Sequence, residues 1–200
     1  MSVGLRRFTE PKPQRRTGEQ CELCGEAFGS EHGHVVNTES RAVLCACRGC
    51  YLLFTQDGAG GSRFRAVPDR YLHDPVFALS DAQWDELQIP VSMAFFFRNS
   101  ALDRVVAFYP SPAGATESLL PLGTWAEVMA ANPTFASAEP DVEALLFRRE
   151  PEGIECFLVP IDVCYELVGL VKLRWKGFDG GQEAWDAIDA FFARLRERAA

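Results

Sequence analysis

Cys21-Glu22-Leu23-Cys24-Gly25 and Cys47-Arg48-Gly49-Cys50 form two Cys-x-x-Cys pairs with 22 residues between them, a spacing close to that of many four-cysteine zinc sites. Two residues between thiolates let the backbone turn back so that both sulfurs reach one ion at about 2.3 Å, and a second pair completes the tetrahedron. Gly25 supplies the conformational freedom needed after such a bend. Between the pairs, His34 to Leu44 reads as a short hairpin that brings them together. If Tyr51-Leu52-Leu53-Phe54 returns as a strand the module is a zinc ribbon, and if it forms a helix the module is a treble clef; the residues leave both open. A segment of about 40 residues has too little core to fold alone, whereas a structural zinc contributes on the order of 10 to 16 kcal/mol at neutral pH.

Cys21, Cys24, Cys47 and Cys50 are therefore the expected ligands, with zinc as the expected ion and iron as the alternative, since four thiolates accept either. Zinc is favoured because no rubredoxin-like pattern of aromatic residues and glycines surrounds the pairs, and four sulfurs leave no open position for catalysis. His32, His34 and Cys45 add three donors beyond the four that one tetrahedron takes. Cys45, two residues before Cys47, is expected to pack as a small hydrophobe; replacing Cys47 or holding a second ion are its other readings. His34 is expected to support the site by hydrogen bonding, and His32 to face solvent.

Composition limits what surrounds this module. With 200 residues, 48% apolar and 24% charged, the chain fits one ordinary domain or a small domain with an appendage. Its apolar runs fall far short of the roughly 20 residues that span a bilayer, so no membrane insertion is expected. A formal charge of −8 argues against a dedicated nucleic-acid-binding domain. The charge is uneven: residues 1–17 form a basic leader, with Arg6, Arg7, Lys12, Arg15 and Arg16 against Glu10, and Pro11 and Pro13 favour flexibility. No apolar stretch follows those cations, so the leader does not read as a secretory signal. Seven cysteines, five of them between Cys21 and Cys50, suit a reducing cytoplasm and a metal site better than a disulfide framework.

The expected organisation is a leader over 1–17, a Cys-rich metal-binding module over 18–56, a Gly-rich linker over 57–63 and an α+β domain over 64–200. In that domain Ser80 and Gln83 have capping-box spacing and open a helix that Pro90 stops, and Thr124 with Glu127 opens a second. Val91–Arg98 and Arg104–Tyr109 read as a hairpin ended by Pro110 and Pro112, and Val142–Arg149 with Ile154–Val159 as another. From Tyr165 to Trp175 the alternation favours a long strand over a helix. Trp185, Ile188, Phe191, Phe192 and Leu195 recur at helical spacing and should cover one face of an antiparallel sheet. Asp162 is expected to cap a turn, His73 to lie in a connector, and Cys156 and Cys164 to pack as hydrophobes. Fifteen Phe, with 4 Trp and 4 Tyr, exceed what a one-faced core needs and suggest an aromatic docking surface.

Two resemblances bear on function. The pairs together with His32-x-His34 and Leu44-Cys45 are partly similar to the ββα-metal nucleases of the endonuclease VII type. Gly33 between the histidines and Tyr51 after Cys50 depart from that pattern and remove catalytic positions. Across nearly the whole chain, Cys21-x-x-Cys24, His32-x-His34, Leu44-Cys45-Ala46-Cys47-Arg48-x-Cys50, Val159-Pro160-Ile161-Asp162-x-Cys164-Tyr165 and Trp175-x-Gly177 resemble an uncharacterised bacterial family, chiefly actinobacterial, encoded near nickel–iron hydrogenase genes. That resemblance implies an accessory role in hydrogenase assembly or in the hydrogenase complex, and together with the four-cysteine module it makes the expected function a non-catalytic, metal-binding accessory protein whose partner is a hydrogenase subunit or maturation factor. A rubredoxin-like redox carrier and a nuclease are the alternatives.

Overall fold

The computed structural model describes residues 19–56, 58–74, 77–87, 89–118, 125–151 and 153–199. The basic leader 1–17 and Thr124, the expected cap of the second short helix, lie outside them, as do Asp57 and Glu152.

The described chain begins with a Cys-x-x-Cys bend closed by an isolated bridge between Gln20 and Ala27. A hairpin follows, β1 (Gly33–Asn37) pairing antiparallel with β2 (Ala42–Ala46), and helix α1 (Arg48–Leu53) starts immediately after Cys47. Bend, hairpin and helix in that order make the treble-clef arrangement, since Tyr51 to Leu53 are helical. The Gly-rich stretch beyond α1 folds as tight turns over Ala59–Ser62, with Gly60 and Gly61 in the left-handed region. There Gly60, at φ +64°, lies so close to Phe54 that a Cβ would stand 2.9 Å from its ring. Strand β3 (Phe64–Ala66) then pairs antiparallel with β1, giving the order β2-β1-β3.

The second sheet has six antiparallel strands in the order β4-β9-β8-β5-β6-β7: β4 (Leu72–Asp74), β5 (Met93–Asn99), β6 (Arg104–Ser111), β7 (Gly114–Ser118), β8 (Glu143–Glu150) and β9 (Gly153–Pro160). Both expected hairpins are present, β5 with β6 and β8 with β9. The edge strand β7 is additional: β6 continues through Pro110 to Ser111 and turns back, where the two prolines suggest an end. His73 lies in β4 and stacks on Phe157 with ring centroids 4.4 Å apart, so it belongs to the sheet and not to a connector.

Alternation along the central strands sends side chains into two cores. Met93, Phe95, Leu146, Phe157 and Val159 face helices α4 (Ile161–Arg174) and α5 (Gln182–Arg198). Ala94, Phe96, Leu145, Phe147 and Leu158 face α2 (Asp81–Glu86), α3 (Trp125–Ala131) and a 3-10 turn over Pro133–Ser137. The sheet is thus the middle of three layers, which is why its strands read as near-continuous apolar runs. The aromatic residues mostly fill these cores. Phe95, Phe96, Phe135, Phe147, Phe157, Phe191 and Phe192 are fully buried, so two cores account for much of the aromatic content, while Phe178 and Tyr165 are exposed.

The stretch after Pro160 overturns the expected strand. It is helix α4, and Ile161, Cys164, Leu167, Val168 and Val171 are buried at helical spacing, whereas Tyr165 and Leu173 of the apparent strand face are exposed. Lys172 and Arg174 in the last turn favour the helix through its dipole. Helix α5 matches expectation, burying Ala184, Ile188, Phe191, Phe192 and Leu195. Ser80 and Gln83 form a complete capping box on α2. No helix of the described residues is long and apolar enough to cross a membrane.

The three-stranded sheet is joined to the six-stranded one. Val36 of β1 and Val67 just after β3 enter the core beneath α4. Arg65 donates to the Pro140 carbonyl and pairs with Glu139 at 2.9 Å, and Arg198 of α5 pairs with Asp69 at 2.9 Å.

Candidate metal centre

Each half of the four-cysteine group is set by its own backbone. In the first bend the Gly25 N–H donates to the Cys21 carbonyl at 2.8 Å, the Cys21 N–H donates to the Glu26 carbonyl at 2.8 Å, and Gly25 takes φ +78°. That left-handed conformation explains the glycine after the second cysteine. In the second half Cys47 is the extended N-cap residue of α1 and Cys50 lies in its first turn. The bend is pinned to the hairpin by Glu22, whose N–H donates to the Cys45 carbonyl at 2.9 Å while its carboxylate accepts from the Cys45 N–H at 2.7 Å.

These supports bring the sulfurs of Cys21, Cys24, Cys47 and Cys50 within 4.8 Å of one another, with Cys24 and Cys47 sulfurs 3.7 Å apart. A regular tetrahedron with metal–sulfur bonds of about 2.3 Å has sulfurs about 3.8 Å apart, so the spacing suits an ion of that kind. All seven cysteines are free thiols. Burial resists ionisation of Cys21, but the N–H groups of Cys47, Cys24 and Leu23 outweigh it and bring the thiol down to about 6. Cys50 is pushed up to about 12, by burial first and then by the neighbouring sulfurs of Cys24, Cys21 and Cys47. One thiolate forms readily and discourages the rest, so complete ionisation of the set calls for a cation among them. The cluster can therefore bind a metal ion.

A second group lies on the hairpin. His34 and Cys45 are direct cross-strand partners, and donor atoms of His32, His34 and Cys45 lie within 4.8 Å of one another. His32 is not solvent-facing: its side chain is 12% exposed, it stacks on Phe28 with centroids 4.2 Å apart, and both ring nitrogens are buried without a hydrogen-bond partner. His34 Nδ1 lies 2.6 Å from the Asp162 carboxylate, which comes from the first turn of α4. Asp162 also accepts from the Val163 N–H at 3.0 Å, so it does not cap the helix start but makes a local bond while its other oxygen faces His34. Gly33, between the histidines, meets Tyr51 of α1 so closely that a Cβ there would lie 2.5 Å from the ring. Glycine at this position lets the helix carrying Cys50 pack against β1.

Asp162 is the residue of this region whose role the sequence does not disclose, because its partner lies 128 positions away. Cys156 and Cys164 belong to neither group; burial pushes their thiols well up, and each packs in one of the two cores. Both groups border a cleft of about 1550 Å³ between the hairpin and α4, reached by His32, His34, Cys45, Asp162, Tyr165 and Glu166.

Residues 20–199 match the model of a protein family described as Family of unknown function (DUF5947). No curated protein and no solved structure shows a significant match to the chain.

Proposed function

The chain belongs to that family, and from its own geometry we propose a non-catalytic, metal-binding accessory protein whose four-cysteine module holds one structural zinc and docks a protein partner. The observation that carries this is the closed set of four sulfurs, two of them 3.7 Å apart, on a bend and a helix start. Four thiolates fill a tetrahedral zinc and leave it no position for substrate. Docking is supported by Leu52 and Leu53, 51% and 59% exposed on α1, the helix that the same ion would anchor. The sequence resemblance makes the partner a hydrogenase subunit or maturation factor, and free thiols at this density suit the cytoplasm.

Metal analysis of the full chain after mild chelation should find one retained zinc in four-sulfur surroundings. Capture of the candidate hydrogenase partner should be lost in Cys21→Ser. Capture that survives when the module has lost its ion and its fold would refute the docking role. A second reading, an iron-bearing redox carrier, rests on the exposure of Cys24, which would let electrons reach the same four sulfurs from the surface. Iron in place of zinc, with reversible bleaching of its colour on reduction, would select that reading.

A further inference from the structure

We propose that His32, His34 and Cys45 form a second metal site, separate from the four-cysteine group, which takes a divalent first-row transition ion of the zinc type and keeps one coordination position open to the cleft. Three donors converge: their ligand atoms lie within 4.8 Å of one another on one face of the hairpin, where His34 and Cys45 are register partners and His32 precedes His34 by two residues. Two imidazoles and a thiolate suit zinc, with copper and nickel as chemical competitors for the same set.

Two further features point to an ion. A buried imidazole normally has partners for its nitrogens, yet both nitrogens of His32 are enclosed without a hydrogen bond, and Glu19 is 3.9 Å from Nδ1. His34 has its Nδ1 2.6 Å from an Asp162 carboxylate oxygen, and a proton carried on that nitrogen would leave Nε2 with the free lone pair for an ion. A carboxylate behind a histidine in this way fixes the ring and raises its basicity as a ligand. Asp162 belongs to α4, so an ion held here would link the hairpin to the six-stranded domain across the cleft.

Three protein donors leave the fourth position of a tetrahedral ion to water or to a donor atom from a molecule in the cleft. This site would exchange its ion, whereas the four-sulfur site would retain one. The inference does not require the docking role, and its test separates the two. Full-length protein titrated with cobalt(II) should bind two equivalents with different absorption spectra, and zinc analysis should show a second equivalent that mild chelation removes. Cys45→Ser should lose that equivalent and its spectrum while keeping the four-sulfur spectrum; His32→Ala provides the same test should Cys45→Ser fail to fold. Asp162→Asn should weaken the second equivalent by about 10- to 100-fold. A wild-type protein that takes up only the four-sulfur ion overturns this inference alone, as does retention of both equivalents in Cys45→Ser and His32→Ala. A protein that binds no ion overturns both readings, and one that binds only at the histidines overturns the structural zinc.

Discussion

Glu143 has a side chain wholly removed from solvent, and its charge is tolerable only because of what surrounds it. Arg70 donates from Nε to one carboxylate oxygen at 2.7 Å and from its terminal nitrogen to the other, and the Glu139 N–H adds a bond of 2.8 Å. The same guanidinium reaches the Ser137 carbonyl at 2.9 Å, so one side chain ties β8 and the preceding 3-10 turn to the segment that follows β3. Removing one partner of such a pair strands a buried charge, and the loss commonly reaches 3 to 5 kcal/mol. Arg70 is itself 37% exposed, and water admitted in its place would screen part of that cost. Arg70→Ala should therefore destabilise the protein by about 2 to 3 kcal/mol in urea unfolding, and Arg70→Met combined with Glu143→Met should recover most of the loss. Equal stability of Arg70→Ala and wild type would mean that the carboxylate finds water without the arginine.

Helix α4 separates what a local pattern discloses from what it hides. The four cysteines are legible because their chemistry is local: each pair lies within four residues and needs only a bend or a helix start to converge. The four inner strands β5, β6, β8 and β9 are legible from long apolar and aromatic runs, whereas the short edge strands β4 and β7 are not, and α5 is legible from a stripe with one polar face. In α4 the apolar residues spread over much of the surface, because the helix packs against both the sheet and α5 and also lies beside the hairpin. Tyr165, Leu167, Gly169, Val171 and Leu173 then mimic a strand face, although the burial of Leu167 and Val171 and the 82% exposure of Leu173 follow the helical period. The contact between His34 and Asp162 was hidden for a different reason, being created by tertiary packing alone. Substitution separates the two periods directly. Leu167→Ala should cost about 2 to 5 kcal/mol by opening a cavity, and Leu173→Ala should change stability by less than about 0.5 kcal/mol. Equal losses at both positions would restore the strand.

At the scale of the molecule, stability is divided unequally between the two sheets. The module's own core has Cys21, Val35 and Ala46 as its buried residues, with Leu23, Phe28 and Phe54 partly buried around them, while large cores cover both faces of the six-stranded sheet. Without an ion, so small a core does not offset the entropy of ordering the bend and α1. The module does not hang free, however, since Val36 and Val67 are anchored in the larger core and Arg65 is held at Pro140 and Glu139. Metal removal should therefore produce a graded loss of order. After treatment with a strong chelator, hydrogen exchange should rise most in residues 19–28 and in α1, less in β1 and β3, and very little in β8 and β9. Acid should act in the same direction, because protons compete with the ion for thiolates. Uniform exchange across both sheets would show that the ion supports the entire fold, and unchanged exchange in α1 would show that the four sulfurs do not need an ion to stay together.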